Sequence, residues 1–213
     1  MPTISAKPKK EKRPLPWIEP LRLNQCREAF DDPNWLFELK YDGFRALLYI
    51  EAGDVRFVSR NGKHMRRFDQ LAQALFKELK VQEAILDGEL VCLDQAGRPQ
   101  FNELFSRRGT PYYIAFDLLW LDNKDLRDLP LIRRKARLKE RIIGRPGIGY
   151  AGHYPGVGEP LFESVKKLDL EGVVAKKMNS PYRPETTWYK IKNPDYTQAK
   201  GRGDLFEEFY NRQ

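Results

Sequence analysis

The chain has 213 residues, enough for one domain with a buried core, and its 38 Lys and Arg against 30 Asp and Glu give a net charge of +8. No apolar run approaches the roughly 18–20 residues that a membrane-spanning helix needs, and the N-terminus lacks the apolar stretch of a secretory signal. Cys26 and Cys92 are too few and too far apart for a disulfide framework or a metal cluster, so a cytoplasmic protein with reduced thiols is expected.

Residues 1–16 hold Lys7, Lys9, Lys10, Lys12 and Arg13 against Glu11, with four prolines and little apolar content, and read as a disordered basic tail. The domain is expected over 17–195, with 196–213 a tail or short helix. Residues 35–40 (WLFELK) read as a strand, and 43–51 with 54–60 as a hairpin turning at Ala52-Gly53-Asp54. Residues 68–80 carry Leu71, Leu75, Phe76 and Leu79 on one helical face. The apolar runs 84–93 and 112–120 read as buried strands. Residues 130–142 read as a helix whose Arg133, Arg134, Lys135, Arg137, Lys139 and Arg141 form a solvated basic face. A strand within 147–153, a helix at 159–168, strands at 171–177 and 187–192, and a helix at 203–212 complete the series. The glycines and prolines of 144–160 read as a loop flanking a cleft. His64 and His153 fit no metal-ligand spacing and are assigned to surface or packing. The mixture predicts an α+β fold with largely antiparallel sheets.

Six short motifs follow one another along these elements. Lys40-Tyr41-Asp42-Gly43-Phe44-Arg45 stands where a strand ends and a turn begins, and Gly43 permits a tight backbone approach. A lysine is a nucleophile only when deprotonated, and neighbouring cations favour that state over its free value of about 10.4. Then come Ser59-Arg60-Asn61-Gly62, Asp87-Gly88-Glu89, Phe116-Asp117-Leu118-Leu119, Glu171-Gly172-Val173-Val174 and Trp188-Tyr189-Lys190-Ile191-Lys192. Lys190 and Lys192 alternate on a strand and share a face, which suits a polyphosphate. Each motif alone has an ordinary reading as a turn or half-exposed strand.

In this order the set resembles the adenylation domain of ATP-dependent DNA ligases, most of all the ligase domain of bacterial end-joining ligases. The resemblance implies a nucleotidyltransferase (ATP-grasp-like) fold, with helices flanking antiparallel sheets around a nucleotide cleft. It implies that Lys40 attacks the α-phosphorus of ATP, forms a lysyl-AMP and passes the AMP to a 5′-phosphate at a DNA nick or break. Glu38 and Leu39 fall at positions that meet adenine, Glu38 by bonding its amino group. Phe116 falls where an aromatic stacks on the base, and Val174 where an apolar residue closes its other side. Arg45 and Arg60 fall near ribose and phosphates, Glu89 at the ribose- or metal-associated carboxylate and Glu171 at the carboxylate for Mg2+ or Mn2+. Lys190 and Lys192 fall at the catalytic pair that contacts the α-phosphate and activates the lysine. Lys176 and Lys177 are left between a phosphate or DNA contact and a solvated strand end.

The sequence departs from that pattern after Lys192, where 21 residues are too few for the family's oligonucleotide-binding barrel. The expected partners are nicked or broken duplex DNA and a repair protein supplying further DNA-binding surface, with the chain itself a monomer and no membrane involved. RNA-end ligation, or an accessory nucleotide-binding module without efficient sealing, are the alternative functions.

Overall fold

The computed structural model describes residues 14–51 and 53–199. In chain order its strands are β1 (Leu23–Gln25), β2 (Trp35–Leu39), β3 (Phe44–Glu51), β4 (Asp54–Ser59), β5 (Glu83–Val91), β6 (Tyr112–Leu121), β7 (Lys124–Asp125), β8 (Ile148–Tyr150), β9 (His153–Pro155), β10 (Gly172–Lys177) and β11 (Trp188–Lys192). The helices are α1 (Asp69–Leu79), α2 (Phe101–Phe105), α3 (Leu131–Ile142) and α4 (Gly158–Lys167). One sheet runs β1-β11-β10-β2-β9, the other β4-β3-β5-β6-β7 with β8 added along β6. Pairing is antiparallel except for β1 on β11 and β8 on β6, which are parallel.

The period of two in the strands sorts side chains into layers. On β3, Leu47 and Tyr49 turn towards the first sheet and share an inter-sheet core with its Leu36 and Trp188 and with Ile85 and Leu119 of their own sheet. The intervening Ala46, Leu48 and Ile50 turn the other way onto Phe57, Leu75 and Leu79, so α1 covers that face. The outer face of the first sheet presents Phe37, Val173, Ala175 and Ile191 to Val165 of α4. Each fully buried Leu or Ile in these layers contributes about 1.5–3 kcal/mol. The hairpin turns through Gly53 at φ 96°, a conformation glycine tolerates without strain.

Helix α3 differs from its expected character. Leu131, Arg134, Lys135, Leu138 and Ile142 form its buried stripe, and both Arg134 and Lys135 have no exposed surface. Arg134 lies against Asp117 at 2.8 and 2.9 Å and donates to the carbonyls of Leu129 and Ser180. These two charges are therefore paired inside the protein rather than solvated. The helix begins after Pro130, and the Leu131 and Ile132 amides donate to the carbonyls of Ser180 and Met178, which caps its first turn.

The expected strand within 147–153 is two strands in different sheets. The chain crosses between them at Ala151-Gly152, with the Ala151 amide on the Ala115 carbonyl. Lys176 is also not a solvated strand end, being 2% exposed. Of the expected basic tail, residues 1–13 lie outside the described residues, while the Leu15 amide donates to Glu51 at 2.6 Å and Leu15 packs on the inter-sheet core. The expected helix 203–212 also lies outside them. No helix among the described residues is long and apolar enough to cross a membrane.

Candidate active site

Strand parity assembles the site. Glu38 follows Leu36 by two residues, Arg45 precedes Leu47 by two, and Asp87 and Glu89 continue the register of Ile85. Lys190 and Lys192 continue that of Trp188. All therefore project into the space between the sheets. The apolar members close one end of that space, and the charged ones line its open end. Gly43 makes the approach of β3 to β5 possible: a Cβ there would stand 2.1 Å from the Leu90 carbonyl oxygen.

The inner part of the cleft is a narrow slot. Phe116 and Val174 wall it, with Leu39, Tyr41 and Trp188 beside them and Glu38 at its end. Glu38 is 2% exposed and its carboxylate is held between two ammonium groups, Lys135 at 2.5 Å and Lys176 at 2.7 Å. Burial pushes the Glu38 carboxyl up, but the two lysines outweigh it and hold it below the usual carboxylate range. The Lys176 ammonium lies 4.3 Å from the Phe116 ring centroid and 4.0 Å from that of Trp188. Burial raises the Tyr41 phenol to about 12, so it stays a neutral donor.

The outer part is wider and charged. Lys40, Glu171, Glu89, Arg60, Lys190 and Lys192 line it together. Lys40 Nζ lies 2.6 Å from Glu171 Oε1, with the two side chains 18% and 13% exposed. The Lys40 amide, just past β2, is fixed on the Gly172 carbonyl at 2.9 Å, which sets the side chain at the boundary between slot and mouth. Half-buried Glu89 has its carboxyl pushed up to about 8, chiefly by burial, with Glu171 and Asp87 adding to the shift and Lys40 and Arg45 opposing it. Arg60 is exposed on the β4 turn, Lys190 is half-buried and Lys192 exposed. The structure thus brings every sequence-selected site residue to one cleft, with Glu38 held in an ion-paired cluster.

Several neighbours were not singled out in the sequence. Asp87, with no exposed side-chain surface, takes Arg45 through two bonds of 3.1 and 2.7 Å and the Tyr182 hydroxyl at 2.7 Å. Arg45 also donates to the Leu21 carbonyl and rests over the Phe116 and Trp188 rings. Asp42, beside the nucleophile candidate, accepts from the Tyr196 hydroxyl at 2.8 Å. Tyr196 belongs to the segment after β11, which also reaches the Pro99 carbonyl through Gln198 and Asp169 through Thr197. Asp87 was legible as a companion of Glu89 two residues away on one strand face. Lys135 was legible only as a charge at helical spacing between Leu131 and Leu138.

The arrangement suits a nucleotide triphosphate: an aromatic slot with a fixed carboxylate, then a lysine, then a cationic mouth. For a divalent ion the oxygen donors lining the mouth are Glu89 and Glu171, and binding one would displace the proton that burial favours on Glu89. No group of three or more His, Cys, Asp or Glu able to hold a metal stands among the described residues. Two carboxylates fit an ion of the magnesium kind, which keeps water and phosphate oxygens in its shell.

Residues 21–192 match the family model described as ATP dependent DNA ligase domain. The chain is 37% identical over 209 residues to the multifunctional non-homologous end joining protein LigD of Pseudomonas aeruginosa, covering 89% of this chain and 25% of that protein. It therefore spans about a quarter of that relative's length. Among solved structures it is similar to the ligase domain of LigD from M. tuberculosis, with 32% identity, a TM-score of 0.72, and coverage of 81% of this chain and 58% of that one. A mycobacterial DNA ligase D complexed with ATP and MES gives 31% identity and a TM-score of 0.73, covering 82% and 60%.

Proposed function

Since the chain belongs to the ATP-dependent DNA ligase domain family, we propose that it carries out nucleotidyl transfer through a lysyl-AMP on Lys40 and passes the AMP to the 5′-phosphate of a nicked or broken DNA strand. The observation that carries this reading is the placement of Lys40 Nζ, 2.6 Å from Glu171, where the aromatic slot meets the cationic mouth. Adenine lies in the slot between Phe116 and Val174, and its amino group donates to Glu38, whose carboxylate has lone pairs beyond those the two lysines use. Arg45, anchored by Asp87, meets the ribose and phosphate side. Arg60, Lys190 and Lys192 neutralise the phosphates, and the reaction depends on such positioning and charge compensation.

Lys40 stands against Glu171; a divalent ion held by that carboxylate would compete with Lys40 for it, so the proton that Lys40 must lose before attack leaves to water at the open mouth. The Lys40 lone pair then forms the N–P bond to the α-phosphorus as the bond to pyrophosphate breaks. Lys190 and Lys192 face the charge that builds on the phosphoryl oxygens. Glu89 and Glu171 would hold a divalent ion, which supplies further charge neutralisation at the phosphates. Strand sealing, and any repair partner that extends the DNA-binding surface, belong to this reading as well.

Incubation with a divalent cation and ATP labelled at the α-phosphate tests it. A covalent AMP adduct should form and be absent in Lys40→Ala. Chase with nicked DNA should discharge the adduct. Discharge only by nicked RNA would move the protein to RNA-end ligation, and an adduct that never transfers would make it an accessory module.

A further inference from the structure

Lys135 belongs to none of the six motifs and lines neither part of the cleft, yet it is fully buried directly behind the slot. Its ammonium is 2.5 Å from Glu38 Oε1, 3.0 Å from the Ala151 carbonyl oxygen and 3.3 Å from that of Phe116. It also stands 4.6 Å from the Tyr150 ring centroid. An ammonium has three protons, and three oxygens surround this one. Those oxygens come from β2 in the first sheet, β6 in the second, and the crossing between β8 and β9.

Packing alone does not account for this. The stripe of α3 is otherwise filled by Leu131, Leu138 and Ile142, and a buried ammonium is unfavourable unless each proton finds a partner. Arg134 next to it shows what a purely architectural charge does here: its partners are Asp117 and the Leu129 and Ser180 carbonyls, none of which lines the slot. Lys135 instead forms an ion pair with Glu38 and donates to the carbonyl of Phe116, two residues that both line it. Lys176 holds the second oxygen of Glu38 but stands in the slot against the rings, so it can meet a ligand directly, whereas Lys135 acts from behind.

We infer that Lys135 is a positioning residue for base selection: by bridging the Glu38 carboxylate and the Phe116 carbonyl it fixes the distance between the polar end of the slot and its aromatic wall. A carboxylate held in that place only accepts hydrogen bonds. It therefore favours a purine edge bearing an amino group over one bearing a carbonyl oxygen. The inference rests on the nucleotide occupying the slot as proposed above.

The test compares Lys135→Met, Glu38→Gln and the double variant in the full chain. ATP and GTP binding are measured by calorimetry, adduct formation by labelled ATP, and folding by thermal melting. Lys135→Met should raise the Kd for ATP about tenfold or more, as loss of a charged hydrogen bond does. The ATP-over-GTP preference should shrink, while the rate of adduct formation at saturating ATP changes by less than about threefold. The double variant should bind no worse than Glu38→Gln, since the lysine acts through that carboxylate. If Lys135→Met does not fold, Lys135→Gln, which keeps two donors, is read in its place. A variant with a lowered melting temperature but unchanged ATP affinity and purine preference would reduce Lys135 to a structural residue and overturn the inference. If the wild type binds ATP but forms no adduct, the proposed reaction fails and the binding comparison still decides the role of Lys135.

Discussion

Replacing Asp87 with asparagine keeps the side chain's shape and removes its charge from beneath Arg45. The guanidinium then loses the only carboxylate it is bonded to among the described residues, and the Tyr182 hydroxyl keeps a weaker acceptor. Removing one partner of a buried ion pair typically costs ~3–5 kcal/mol. Asp87 is wholly buried, but Arg45 is 16% exposed and retains the Leu21 carbonyl and two aromatic faces. The low end, about 3 kcal/mol, is therefore expected. In a chain of this size that corresponds to a fall of about 6–12 °C in Tm. Urea unfolding followed by circular dichroism, with ATP affinity measured alongside, reads both consequences, since Arg45 would lose its fixed place at the cleft. A loss below about 1 kcal/mol would mean that the pair behaves like a solvent-exposed bridge. The account of how Arg45 is held would then be wrong.

Two further outcomes follow from the buried charges. Arg134→Met should destabilise the protein by about 3–5 kcal/mol by stranding Asp117, and Asp117→Leu combined with Arg134→Met should recover much of that in urea titrations; equal losses in the single and double variants would contradict this. Glu89 in the folded chain keeps its proton up to about pH 8, whereas an unfolded glutamate loses it near 4.3. Between those values the folded state binds the extra proton, so stability falls as pH rises through the window. Without divalent cations, Glu89→Gln should flatten that decline, so that its urea midpoint gains on the wild type from pH 5 to pH 9. A constant difference across that range would count against it.

Much of the cleft was legible from the sequence because many of its residues sit on strands, with Lys40, Arg60 and Glu171 at strand ends. Once Lys190 and Lys192 are read as alternating, their common face follows, and Glu38, Arg45 and Glu89 obey the same parity. The ion pairs behind the cleft were not legible. Arg134 and Lys135 look like members of a solvated basic run, and their partners Asp117 and Glu38 lie 17 and 97 residues away. A period of 3.6 marks which helix face is buried, but it does not say that a charge on that face will find its opposite. The short elements β1, β7 and β9 escaped for another reason: two or three residues carry no period, and only their pairing with longer strands defines them.

The segment after β11 does more than finish a sheet. Because Tyr196 is hooked to Asp42 and Gln198 to the Pro99 carbonyl, whatever polypeptide continues past Ala199 departs from a point moored within two residues of Lys40. A load or a docked neighbour on that continuation would tug on the turn that aims Lys40. Grafts and fusions at this junction are thus better judged by the rate of the AMP-adduct formation proposed for Lys40 than by whether the chain folds.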